Sequence, residues 1–89
     1  MTASLTIEAM IAENHLNSVL TELGFDREAF IASLPSRRQM DVAVRHRVWL
    51  RMLDKPTPYG RLSVIAVARS CGVDHTTVRH AAKKAEGKA

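Results

Sequence analysis

A single cysteine, Cys71, excludes a disulfide framework and is too few for a cysteine-based zinc knot; it fits a reducing compartment. Aromatic residues make up 4% of the chain, and no stretch alternates apolar with polar residues between turn signals, so strands are not expected. Four scattered glycines supply neither a G-x-x-x-x-G-K-S/T phosphate loop nor a dinucleotide fingerprint, which removes the usual routes to nucleotide chemistry. The chain is 46% hydrophobic, yet no run approaches the ~18 apolar residues of a membrane span. Met1 to Glu8 also lacks the basic-then-apolar order of a signal peptide. The expectation is one small soluble domain in the cytoplasm, without membrane contact.

What the sequence does have is an uneven distribution of charge. The net charge is +4 over 89 residues, with a pI near 9.8. Met1 to Pro35 holds one base, Arg27, against five acids, for a net −4; Ser36 to Ala89 holds twelve bases against four acids, for a net +8. A basic half beside an acidic half points to a polyanion on one side of the molecule, although blocks of like charge also serve as plain solvated faces.

Helical spacing recurs along the chain, and the fold class it predicts is all-α, a compact domain of about five helices. Residues 1–13 read as an N-terminal extension: from about Ser4, Ile7, Met10 and Ile11 share a face, out of phase with the later leucine stripe, as a separate short helix would. Such a helix could cover the core or contact a partner. Leu16, Val19, Leu20 and Leu23 form an i, i+3, i+4, i+7 stripe that stops at Gly24. Asp26 starts a short helix whose Ala29, Phe30 and Leu34 can face the core, ended by Pro35. A long helix is predicted from about Arg37 to Leu53, with Val42, Ala43, His46, Trp49, Leu50 and Leu53 on one face and Val44, Val48 and Met52 in a second row; a helix apolar on two sides belongs in the centre. Asp54 to Gly60, with two prolines and a glycine, is a rigid connection. Residues 14–86 thus form the domain, and 87–89 a frayed tail.

The last third carries the strongest pattern. Ser63 can cap a helix in which Val67 is apolar and Ala68 is small enough for a second helix to cross closely. Gly72, four residues on, suits a turn that needs positive φ, and Val78, six further, anchors the second helix. This spacing is that of a helix-turn-helix, whose second helix enters the major groove of DNA. Asp74 caps the second helix. Val78, Ala81, Ala82 and Ala85 point inward, leaving His75, Thr76, Arg79 and Lys83 outward, with His80 a partly buried spacer. The short polar groups can reach base edges, while Arg79, Lys83 and Lys84, with Arg37, Arg38, Arg45 and Arg47, can meet phosphates.

Asp74-His75-Thr76-Thr77-Val78, followed by His80-Ala81 and the basic pair Lys83-Lys84, resembles the C-terminal DNA-binding domain of the bacterial replication initiator DnaA, a helix-turn-helix of the TrpR-like kind. Ser36-Arg37-Arg38-Gln39-Met40 is similar to that domain's basic loop and helix start, and Leu20 to Ser33 to the helices before it, so the resemblance spans about Asn14 to Lys84. The resemblance implies that Arg38 enters the minor groove and that Asp74, His75 and Thr76 read bases in the major groove. It implies backbone contacts from Arg37, Gln39, Arg45, Arg61, Ser63, Thr77, Arg79, Lys83 and Lys84, that of Ser63 through amides at a helix N-terminus. The chain departs from the family in a shorter basic loop and in Gly72-Val73, where the initiator has an extra glycine and an arginine. It holds no ATPase module, so origin melting is not expected of it; stand-alone domains of this kind resemble regulators of phage-like elements and gene transfer agents.

The function expected is therefore a double-stranded DNA-binding transcription regulator, an activator of such genes, with no cofactor. An activator must also touch RNA polymerase or a companion activator protein, and a homodimer would read two half-sites about one helical turn apart. Two other functions fit the same residues: a replication-associated factor that occupies initiator boxes, and a protein adaptor that uses the motif as a scaffold and the acidic half as its working surface. Catalysis and metal binding are not expected, because Cys71 sits at the buried position before the turn and His75 and His80, five apart, point to different helix faces.

Overall fold

A computed structural model describes the backbone of residues 3–87 and the side-chain surroundings of residues 7–85. The first helix, α1 (Ala3–Leu23), closes where Gly24 takes φ 78°, a left-handed conformation that glycine adopts without steric cost. Phe25 N–H then donates to the Leu20 carbonyl at 2.9 Å. Asp26 caps α2 (Arg27–Ser33) by accepting from Ala29 N–H at 3.0 Å. The basic loop leads into α3 (Gln39–Asp54), two residues later than the sequence placed its start. The connection after it closes on itself: Thr57 and Gly60 exchange both backbone hydrogen bonds, at 2.9 and 3.0 Å, and the Thr57 hydroxyl donates to the Gly60 carbonyl at 2.6 Å. Then come α4 (Val64–Cys71) and α5 (His75–Gly87). All five expected helices are present, and the only β pairing among the described residues is the isolated Thr57–Gly60 bridge.

The stretch before Asn14 is not a separate helix. The stretch from Ala3 has no proline or glycine to interrupt it, so α1 runs through without a break. The phase change is real but lies in burial: Ala12, Leu16, Val19 and Leu20 face the core, whereas Ile7 and Met10 are 56% and 60% exposed. Met1 and Thr2 of that expected extension, and Lys88 and Ala89 of the expected tail, lie outside the described residues. Gly87, placed in the tail, is the last residue of α5.

α3 sits in the middle, packed on α1, α4 and α5, while α4 packs on α1 and α5. The core is Leu16, Val19, Leu20, Phe30, Val48, Trp49, Met52, Val67, Ala68, Cys71, Val78 and Ala81. Of the two apolar rows of α3, the second buries Val48 and Met52 fully and Val44 in part, while the first fully buries only Trp49 and leaves Ala43 exposed. In α2 only Phe30 of the three expected core residues is buried; Leu34 is half-buried and Ala29 is exposed, because a seven-residue helix resting on one aromatic offers a single turn to the core. His15 is buried, its Nε2 2.9 Å from the Met52 carbonyl, which joins α1 to the end of α3. Among the described residues no helix is long and apolar enough to cross a membrane.

The ion pairs that brace this arrangement run between the acids of α1 and three bases. Arg27 pairs with Glu13, and Glu22 receives both Arg51 at 2.6 Å and Lys55 at 3.1 Å. The Arg51 guanidinium, then the Lys55 ammonium, hold the Glu22 carboxyl at about 2, well below its ordinary 4.5. A carboxylate whose folded value is depressed stabilises the fold above its unfolded value, and that contribution is lost as pH falls through the folded one. The melting temperature should therefore fall between about pH 4.5 and 2. The Glu22→Gln variant should show a shallower fall over that window; identical melting-temperature profiles would refute this.

Candidate nucleic-acid interface

The α4–turn–α5 unit is built by its own caps. The Ser63 hydroxyl accepts from Ala66 N–H at 3.1 Å and starts α4. Gly72 ends it in the left-handed region, φ 69° and ψ 28°, with Val73 N–H donating back to the Ala68 carbonyl at 3.0 Å. A Cβ at Gly72 would meet open space, so the demand for glycine comes from the backbone angle alone. Asp74 accepts from Thr76 N–H at 2.8 Å and starts α5; that bond, helped by the Thr76 hydroxyl and by the adjacent His75, holds its carboxyl below the usual range. With its oxygen turned toward the helix start, the Asp74 carboxylate is occupied as a cap.

Val67, Ala68 and Cys71 of α4 and Val78 and Ala81 of α5 are buried against each other and α3, and Ala82 and Ala85 are half-buried. The opposite side of α5 is open: His75, Thr76, Thr77, Arg79, Lys83 and Lys84 are all exposed. His75 Nδ1 lies 3.5 Å from Asp74 Oδ1, and the ring remains about half exposed at 49%. His80 is exposed rather than a partly buried spacer, since the small Ala81 and Ala82 supply the packing next to it. Burial pushes the Cys71 thiol up, against the opposing influence of the Trp49 indole and the Ser70 hydroxyl, so it is a packing residue and not a thiolate. Among the described residues no group of three or more His, Cys, Asp or Glu could hold a metal.

The basic loop is the second element. The Ser36 hydroxyl donates to Asp41 Oδ2 at 2.7 Å and accepts from Arg38 N–H at 3.2 Å, tying the loop to the first turn of α3. Arg37, Arg38 and Gln39 are exposed, Arg38 being the residue before α3 and making no side-chain cap. Met40 is 81% exposed beside them. The loop leads directly into α3, which packs on α5.

The bases fall into two groups. Arg27, Arg51 and Lys55 are paired with acids, and Arg45 is half-buried with its Nη1 donating to the Ser33 carbonyl at 3.0 Å, which engages it at the end of α2. Arg37, Arg38, Arg47, Arg61, Arg69, Arg79, Lys83 and Lys84 are exposed and form no ion pair among the described residues. Sequence reasoning missed Arg69; an arginine one position after the buried pair Val67-Ala68 of an amphipathic helix was the available signal. It also missed Tyr59, 81% exposed on the self-closed Thr57–Gly60 turn, where the flanking prolines marked a rigid loop but not the side chain it presents. Compared with protein-family models, with curated proteins and with solved structures, the chain matches none of them.

Proposed function

We propose that this chain binds double-stranded DNA with sequence preference and regulates transcription, the start of α5 reading bases in the major groove. The observation that carries the reading is the division of α5 into a buried side, Val78 and Ala81, and an open side on which His75 and Thr76 precede Arg79, Lys83 and Lys84. Short polar side chains at a helix start suit base edges, and the bases after them suit phosphates. The unpaired Arg37 and Arg38 add a second, loop-borne contact suited to a minor groove, whose width and potential attract arginine. The likeness of Asp74–Val78 to the DnaA DNA-binding domain favours the same docking, and the family's stand-alone members favour an activator of phage-like or gene transfer agent genes, associated with the nucleoid and working with RNA polymerase or a companion activator.

Selection of duplexes from a random pool, followed by anisotropy titration of the enriched site, tests this. Five phosphate contacts from Arg37, Arg38, Arg79, Lys83 and Lys84 give a slope of log K against log salt near about −4.5. Thr76→Ala should cost ~1–3 kcal/mol of discrimination against the wrong base while sparing non-specific binding. A pool with no enriched sequence, or affinity independent of salt, would overturn the proposal.

A further inference from the structure

The stretch of α1 from Ile7 to Met10 is left uncovered by its own chain. Ile7, Glu8, Ala9 and Met10 are all exposed, and the first buried residue after them is Ala12. Ile7 and Met10, 56% and 60% exposed, put two large apolar side chains one helical turn apart in solvent, a patch suited to packing on another surface. Beside it lies a groove of about 520 Å³ between α1 and α4, floored by Ala9, Ala12, Ile65 and Ala66 and edged by Glu8 on α1 and Arg69 on α4. Ile65 is 47% exposed in it. Glu8 and Arg69 edge the same groove, yet neither forms an ion pair among the described residues.

We infer that this groove is the contact between two copies of the chain, each laying the Ile7–Glu13 stretch of its α1 into the groove of the other. The charge pattern selects a second copy as the occupant. A two-fold interface presents the same patch from both sides and must therefore be self-complementary. The groove carries one unpaired acid on one wall and one unpaired base on the other, so a two-fold arrangement that sets Glu8 of each copy against Arg69 of its mate satisfies both charges, twice. The small floor residues allow close approach of helices, and the unbranched Met10 side chain can fill an irregular space. DNA is not favoured on this wall, since α1 supplies no lysine or arginine and its Glu8 is an acid unpaired among the described residues. The interface is small: a standard one takes about 800 Å² per partner, roughly an eighth of the 6198 Å² surface. The groove provides fewer residues than that class uses, which places the dimer among weak assemblies that form at about 0.1–1 mM.

The inference does not depend on DNA binding and is tested without DNA. Sedimentation equilibrium over about 0.01–1 mM should show the mass rising from 9.9 kDa toward twice that value. Glu8→Arg and Arg69→Glu, both at exposed positions and checked for folding by circular dichroism, should each remain monomeric alone. An equimolar mixture of the two should recover the dimer: the arginine introduced in one variant meets the glutamate introduced in the other, and the native Glu8 of the second meets the native Arg69 of the first. A chain monomeric throughout, a dimer indifferent to both reversals, or a mixture that fails to reassociate would each overturn the inference; a dimer lost in the single variants and regained on mixing would establish it.

Discussion

Replacing Arg79 and Lys83 together with glutamate is expected to lower affinity for the selected duplex by at least about two orders of magnitude at ~0.1 M salt. Each phosphate contact releases close to one counterion, so at this salt it contributes roughly tenfold to the binding constant; losing two gives the hundredfold, and the introduced like charges add to it. The fold should not notice. Both side chains are exposed on the side of α5 away from Val78 and Ala81, and neither takes part in the ion pairs that brace α1. Surface substitutions of this kind usually stay within ~0.5 kcal/mol. Anisotropy titration and thermal melting of the same preparation separate the two effects. Undiminished affinity would refute the placement of α5 on DNA; a collapsed melting transition would refute the division between its two sides.

The largest effect on stability should come from Trp49→Ala. Trp49 is fully buried, at 0% exposure, in the middle of α3, with the His46 ring 6.0 Å away at a tilt of 33°. Its Nε1 is the one buried side-chain nitrogen or oxygen without a hydrogen-bond partner among the described residues, lying near the Cys71 sulfur without reaching bonding geometry. Its contribution is therefore packing. Truncating a buried tryptophan costs ~3–5 kcal/mol, against ~4–13 kcal/mol of total stability for a chain of this size. Urea unfolding followed by circular dichroism should show the loss as a lower midpoint. Trp49→Phe should cost less than half as much, because it keeps an aromatic ring in place and removes the unpartnered N–H along with the bulk it leaves empty. A Trp49→Ala loss below about 1 kcal/mol would mean that the core closes around the void.

The parts of this structure that were legible in the sequence are the local ones. Gly24, Asp26, Ser63, Gly72 and Asp74 mark helix ends through backbone chemistry within a few residues, and all five stand where the sequence placed them. The spacing Ala68, Gly72, Val78 likewise fixed which residues of α4 and α5 would be buried. The illegible parts depend on distant neighbours. The two apolar rows of α3 look alike in one dimension, and only the positions of α1, α4 and α5 decide that Val48 and Met52 go inside while Ala43 stays out. His15 meets the Met52 carbonyl across 37 residues, with no sequence pattern to announce it. Arg45 resembles its neighbours in the basic half until the Ser33 carbonyl claims it. The change of phase at Ile7 and Met10 was visible, but a change of face can mean a break in the helix or a second surface on an unbroken one, and α1 is the latter.

The two sides of α5 have different masters. Val78 and Ala81 answer to the interior, where a change of a single methylene is felt; the exposed Arg79, Lys83 and Lys84 answer to the world outside. Substitutions at the outer positions can accumulate without passing through an unfolded intermediate, so a lineage carrying this domain can alter the surface that α5 presents one residue at a time while the scaffold stays fixed.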